Sequence, residues 1–165
     1  ITAVIKATPV ASFIILVLLW FSGKNLSVII SMLMVFPVIY MNVLEGIRSA
    51  DEKLLEMAQV FRLSVGKKLL YIYLPAVAPF FVSACSVSLG LCWKSGIAAE
   101  VIGTPDGSIG AVFYQAKIFL QTSELLAWTV VVVAVSVAFE KLFMFLLRLV
   151  LKKLKMEDVL NGKRA

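Results

Sequence analysis

From Leu125 to Leu151 the chain is one apolar stretch whose only charged residues are Glu140, Lys141 and Arg148. A helix crosses the roughly 30 Å hydrocarbon core of a bilayer with about 20 such residues, so this run is long enough to span. Inside hydrocarbon the backbone has no water to bond, and a helix satisfies its own amides and carbonyls. The run therefore points to an all-α membrane bundle. Composition extends that to the whole chain, with 61% hydrophobic residues, 16% charged residues and a mean hydropathy of +0.99 over 165 residues, outside the range of ordinary soluble domains.

The spacing predicts spans at about 7–21, 26–47, 74–97 and 125–151. The first is short, and Ser22-Gly23-Lys24-Asn25 after it has turn chemistry. Pro37 sits in the middle of the second, where a membrane helix tolerates it with a kink because neighbouring groups satisfy the freed carbonyl. In the third, Ala84 with Ser88 and Ser86 with Gly90 give small-residue spacings that let helices pack closely. The stretch from 100 to 122 opens with EVIGTPDGSIG, too rich in turn residues to continue a span. It goes on into AVFYQAKIFLQT, too short to cross, and is expected to be an external re-entrant or interfacial segment. The chain opens at Ile1 with no methionine and no basic leader, so it is expected to start inside a longer protein.

Cations orient the bundle. Arg48, Lys53, Arg62, Lys67 and Lys68 lie between the second and third spans, and Arg148, Lys152, Lys153, Lys155, Lys163 and Arg164 lie at the end of the last span and beyond it. The other side has Lys24, Lys94 and Lys117. The heavier side is cytoplasmic by the positive-inside rule, which places the 48–73 connection and the C-terminus there. The same rule accounts for the net charge of +6 with the lipid bilayer and no nucleic-acid partner. The chain has no histidine, which removes the commonest metal ligand and acid–base residue. Cys85 and Cys92 read as small apolar fillers in a span. No metal site is expected.

The 48–73 connection is charged and helix-like. Ser49-Ala50-Asp51-Glu52 has capping-box spacing, and from Glu52 to Phe61 the apolar Leu54, Leu55, Met57, Ala58 and Phe61 share one side. Ser64 is placed to cap a second short helix running to Tyr73, which Pro75 either separates from the third span or joins to its first turn. Period alone leaves two readings open. The pair of helices lies on the lipid surface, or it is a knob for a cytoplasmic protein with apolar anchors set in a groove.

The order Glu56, Ala58, a bend at position 62, then Ile72-x-Leu74-Pro75 resembles the EAA loop of bacterial ABC-importer permeases, the binding-protein-dependent transport family. That pattern reads E-A-A, three residues, G, nine residues, I-x-L-P. ATPVASFIILVLLWFSGKN, FPVIYMNVLEGIRSADEKLLEMA, LPAVAPF and CWKSGIAAEVIG are similar to the nitrate, sulfonate and taurine branch, and the resemblance suggests the C-terminal two-thirds of a permease. Met57 replaces the pattern's second residue, and a flexible apolar side chain still fills a groove. Arg62 replaces its glycine, and an arginine there either takes a positive φ at a cost or shifts the bend, with Gly66 as the substitute.

The resemblance implies a polytopic bundle with a cytoplasmic two-helix coupling loop in a bacterial inner membrane. It also implies a second permease chain as homodimer partner, two cytoplasmic ABC ATPase subunits and an external solute-binding protein. This chain would bind no cofactor and catalyse nothing, with ATP and magnesium on the ATPase chains. Glu56, Met57, Ala58 and Phe61 would contact the ATPase groove, with Arg62, Leu74 and Pro75 fixing the bend and the exit into the third span. The solute implied is a small anion such as a sulfonate or nitrate.

Ionisable residues within spans are the other candidates, because burial is costly unless they are paired or wetted. Glu140 and Lys141 are read as an interhelix pair or pathway charges, and Lys94 and Glu100 as charges near the outer end of the third span. The alternative to an ATP-driven importer is a secondary transporter whose amphipathic loop lies on the membrane, although no internal repeat supports it. An intramembrane enzyme lacks an evident nucleophile and base pair.

Overall fold

The computed structural model describes residues 9–21 and 25–153. Every regular element among them is helical: α1 (Val10–Trp20), α2 (Leu26–Arg48), α3 (Glu52–Val60), α4 (Val65–Lys68), a π-helical turn (Leu69–Tyr73), α5 (Leu74–Gly103), α6 (Ile109–Ile118) and α7 (Thr122–Lys153). Among the described residues three helical runs are long and apolar enough to cross a membrane: Leu26–Arg48, Val65–Gly103 and Thr122–Lys152. Helix α1 has 11 residues; residues 7 and 8 of the span expected there, the turn at 22–24 and the tail from 154 lie outside the described residues.

Several boundaries differ from those expected. Helix α2 runs through Pro37 and ends at Arg48 rather than at 47. Helix α5 does not stop at 97, because Ala98 to Ile102 contains no breaker, and it ends where Gly103, Thr104 and Pro105 follow one another. The 100–122 stretch is thus divided: its start belongs to α5, its middle is α6, and α7 begins at Thr122. Pro75 does not separate the second loop helix from the third span. The run from Val65 to Gly103 is a single helix of 39 residues, with the π-turn just ahead of the proline.

The described residues form two compact units, those within 9–37 with 88–141 and those within 38–87 with 142–153. In the first, Ile14 of α1, Leu26 and Ile30 of α2 and Ala99 of α5 form a fully buried core, with Phe13, Val17, Leu18 and Met34 packed around it. Small residues let α2 and α5 approach: a Cβ at Gly96 would meet the Ser31 hydroxyl at 3.0 Å, and that hydroxyl donates to the Cys92 carbonyl at 3.0 Å. Such bonds across helices are typical of packing in membranes. The Ser95 hydroxyl donates back to the Leu91 carbonyl at 2.7 Å, and Trp93 of α5 meets Phe139 of α7 edge to face with centroids 6.1 Å apart. Both cysteines are free thiols.

The second unit is held by a tighter crossing. A Cβ at the buried Gly46 of α2 would lie 2.8 Å from the Val77 Cα of α5 and 3.3 Å from Phe80, so the two backbones touch there. Ala78 and Val82 of α5 pack against Leu147 and Leu151 of α7. Ala84 and Ser88 are buried as their spacing suggested, whereas Gly90 has nothing within 4 Å of where a side chain would begin. Close contacts between α2 and α5 fall at Gly46 and Gly96 instead, and a Cβ at Gly103 or Gly110 would also meet a neighbouring residue.

Candidate functional site

The connection between α2 and α5 folds into a compact motif within the second unit. Helix α3 starts two residues later than a Ser49 cap would start it. Asp51 is the N-cap, its carboxylate accepting the Lys53 amide at 2.9 Å. The Ser49 hydroxyl is engaged elsewhere, donating to the Gly46 carbonyl at 2.9 Å in the last turn of α2. Both residues suit the role chemically, and only the end of α2 decides between them.

The end of α3 explains why the bend sits at position 62. The Leu63 amide donates to the Ala58 carbonyl at 2.9 Å and the Arg62 amide to the Gln59 carbonyl at 3.0 Å. Those two bonds, with Arg62 at φ +50, make a Schellman motif in which Arg62 occupies the left-handed position that glycine normally fills. The arginine therefore takes the positive φ, and the bend does not move to Gly66, which is helical in α4. Ser64 stands at the N-cap of α4 without a side-chain cap bond, the turn closing through the Lys68 amide on the Ser64 carbonyl at 3.1 Å.

Holding a non-glycine residue in this region costs about 1–2 kcal/mol. Arg62→Gly is expected to stabilise the motif by about 1 kcal/mol, read as roughly fivefold slower exchange of the Leu63 amide. Arg62→Ala, which keeps a Cβ, is expected to give no such gain, and equal slowing in both variants would place the effect in the side chain.

Below the bend lies a small core of Ala50, Ala58 and Ile72, with Leu55, Leu63, Tyr73 and Ala76 packed on it. Ala58 is 0% exposed, so it is not a surface contact. It is the seat on which α3 rests against the helix leading into α5. Leu63 follows the bend and returns to this core, the apolar contact that commonly accompanies a Schellman motif. What α3 presents outward is Met57, 49% exposed, and Phe61, 70% exposed, with Val60 between them and Glu52, Lys53, Glu56 and Gln59 also exposed. Val65, Leu69 and Tyr71 continue the apolar surface onto α4 and the π-turn.

Leu74 and Pro75 lie inside the continuous helix. The Leu74 amide bonds the Leu69 carbonyl, five residues back, which is the π pattern. Pro75 has no amide hydrogen, and its ring crowds the carbonyl four residues earlier. The wider turn immediately before it accommodates both.

Of the residues singled out in the sequence, the structure brings Glu56, Met57 and Phe61 onto one exposed surface and sends Ala58 beneath it. The other candidates belong to the first unit. Lys94 is exposed on α5, the Glu100 carboxylate accepts the Gly110 amide at 3.1 Å, and on α7 Glu140 is half-buried and Lys141 exposed. Among the described residues no three His, Cys, Asp or Glu side chains gather as a metal site would require. Reading the sequence missed Ala50, Leu63 and Ile72 as the support of the motif, and missed Asp51 as its cap. Ile72 had a signal, since it opens the Ile-x-Leu-Pro ending.

Long apolar helices, joined by a capped amphipathic pair that packs a core of its own, define a polytopic helical membrane protein. Residues 1–156 match the family described as binding-protein-dependent transport system inner membrane component, and the chain belongs to that family. It is 37% identical over 135 residues to a candidate aliphatic sulfonates transport permease protein of Escherichia coli (strain K12), covering 79% of this chain and 48% of that protein. It is 30% identical over 134 residues to the corresponding protein of Bacillus subtilis (strain 168), covering 80% of this chain and 48% of the relative. With the taurine transport system permease protein of Escherichia coli (strain K12) it shares 26% identity over 136 residues, 82% of this chain and 49% of the relative. The chain thus spans about half the length of these relatives, and it is a multi-pass inner-membrane protein.

Proposed function

We propose that this chain is the coupling portion of the permease of an ATP-driven importer of small anions. The observation that carries the reading is the exposed apolar surface of Met57, Val60 and Phe61, mounted on a motif whose spacing resembles the EAA loop. In this reading two permease chains line the path, and two cytoplasmic ABC ATPases seat on the loops of residues 48–73. An external binding protein delivers the solute, and ATP and magnesium are held by the ATPase chains. The C-terminus is cytoplasmic, on the side carrying the denser cations. Names of related proteins support the solute class: aliphatic sulfonates, taurine and, for a cyanobacterial relative 26% identical to this chain, nitrate.

The residues have distinct tasks. Met57 and Phe61 are the anchors that enter the ATPase groove, and Glu56 stands at their rim as a charge contact. Ala58 holds α3 against Ile72, so that a push on the anchors moves the helix that becomes α5 instead of bending the loop. The Arg62 bend sets the angle between α3 and α4, and the π-turn with Leu74 and Pro75 passes the movement on. Nucleotide then shifts the spans between inward-open and outward-open only as far as the ATPases bind the two arrangements differently. Lys94 supplies a cation on the outer part of α5, suited to an anionic solute, and Glu140 with Lys141 links α7 to its neighbours.

Co-purification tests the reading. Glu56→Lys is expected to lower recovery of the ATPase with the full-length permease about tenfold, the effect of losing a rim charge and gaining a repulsive one, with membrane insertion unchanged. An ATPase absent from the wild-type preparation would turn the reading toward a secondary transporter with a lipid-lying loop.

A further inference from the structure

Beyond its last turn α5 gives way to a short connection, 104–108, that holds two residues at positive φ, Thr104 at +40 and Gly107 at +76. The chain then enters α6, 10 residues long, too short to be stable by itself. The first turn of any helix leaves amides without partners, and in an apolar setting each such amide is costly. Two side chains meet them here. The Ser108 hydroxyl accepts the Ala111 amide at 3.1 Å, and the Glu100 carboxylate, reaching across from α5, accepts the Gly110 amide at 3.1 Å.

The second contact is made possible by glycine. A Cβ at Gly110 would overlap the Glu100 side chain and backbone and approach the Val101 nitrogen, so no side chain fits between the two helices at that point. Of α6 only Gly110 and Ala116 are buried, both small. Ile109, Val112 and Phe113 are partly buried and hold the helix in part, and the charged hydrogen bond, aimed along the positive end of α6, adds to that packing. Next to Glu100, Ala99 is fully buried among Ile14, Leu26 and Ile30, which anchors the α5 side of the contact.

We propose that Glu100 and Gly110 form a latch fixing α6 to the end of α5, and that Glu100 acts in transport as a positioning residue and not as a charge in the solute path. The carboxylate already occupies the anion-attracting end of α6, so that end is filled by the chain itself. Whatever moves α5 then carries α6 as part of the same rigid piece. The consequence for uptake rests on the transport reading above; the latch rests on geometry alone.

The test uses the full-length permease with its ATPase and binding protein in lipid nanodiscs for hydrogen exchange, and in proteoliposomes for ATP-driven uptake of taurine, ethanesulfonate and nitrate as probes. Glu100→Ala is expected to speed exchange of the Gly110–Phe113 amides about tenfold or more, the scale of an orphaned buried donor. Gly110→Ala is expected to do the same, and the double variant is expected to exchange no faster than the worse single one, because both remove one shared contact. Glu100→Gln, which keeps a carbonyl acceptor, is expected to stay within about threefold of wild type. In uptake, Glu100→Ala lowers the maximal rate with KM unchanged and Glu100→Gln restores it. Unchanged exchange in Glu100→Ala would overturn the latch. Glu100→Gln as damaging as Glu100→Ala, with a raised KM, would overturn the positioning role and return Glu100 to the path. If wild type takes up none of the probes, the transport reading is in difficulty, and the exchange data alone decide the latch.

Discussion

Gly46→Leu is expected to abolish recovery of folded permease from the membrane, while Gly66→Leu leaves it intact. At Gly46 even the first side-chain carbon would sit 2.8 Å from the Val77 Cα, a backbone atom that cannot rotate away. Leucine adds three carbons beyond it, so α2 and α5 would have to separate. Overpacking a core ordinarily costs about 1–3 kcal/mol, and a backbone-to-backbone contact belongs at or above the upper end of that range. The separation would also open the Ala50, Ala58 and Ile72 core, since Ala50 lies two residues beyond the end of α2. Gly66 has nothing within 4 Å of its missing side chain, which makes it the control. Gel filtration of detergent extracts reads the result, and a monodisperse Gly46→Leu protein at wild-type yield would mean that the crossing is looser than described.

The second large effect is functional. On the proposed coupling role, replacing Met57 and Phe61 together by aspartate is expected to eliminate ATPase association and ATP-driven uptake while leaving the permease inserted and stable. Phe61 is largely exposed and Met57 about half exposed, so the change removes little internal packing. Buried apolar anchors at an interface cost about 2 kcal/mol or more each when truncated, roughly 30-fold in affinity. A charge placed in an apolar groove adds to that loss. Gln59→Ala, on the same helix but polar and exposed, is expected to bind as wild type does. A double aspartate variant that keeps its ATPase and its uptake would remove α3 from the coupling surface, and changed partitioning onto lipid vesicles in that same variant would mark α3 as a membrane-surface helix.

These two outcomes separate what the chain displays in its pattern from what only packing reveals. The membrane helices were legible because hydrocarbon leaves the backbone no alternative to a helix, and a run such as Leu125 to Leu151 announces its length directly. Ends were less legible. Ala98 to Ile102 carries no stop signal, so α5 continued into a segment that its glycines and proline had marked as a turn. The exposed face of α3 followed from helical period, which grouped Met57 and Phe61. The same period grouped Ala58 with them, and it cannot tell an anchor from a seat. That difference depends on Ile72 and Ala50, brought close by a bend and a neighbouring helix. The bend itself was half legible: Arg62 was marked as the place where glycine belongs, but whether the backbone or the residue would yield depended on two hydrogen bonds to Ala58 and Gln59.

The π-turn at Leu69–Tyr73 has a geometric consequence for the loop it joins to α5. A turn closed five residues back contains, in effect, one residue more than the α-helix around it. Each α-helical residue turns the chain by about 100° and advances it about 1.5 Å. Were that turn to tighten into regular α-helix, everything before it, α4 and the bend included, would be re-indexed around the α5 axis by that amount. The compass bearing of Met57 and Phe61 is thus written into a residue count, and a one-residue insertion or deletion between Val65 and Pro75 would turn both side chains to another quarter without altering either of them.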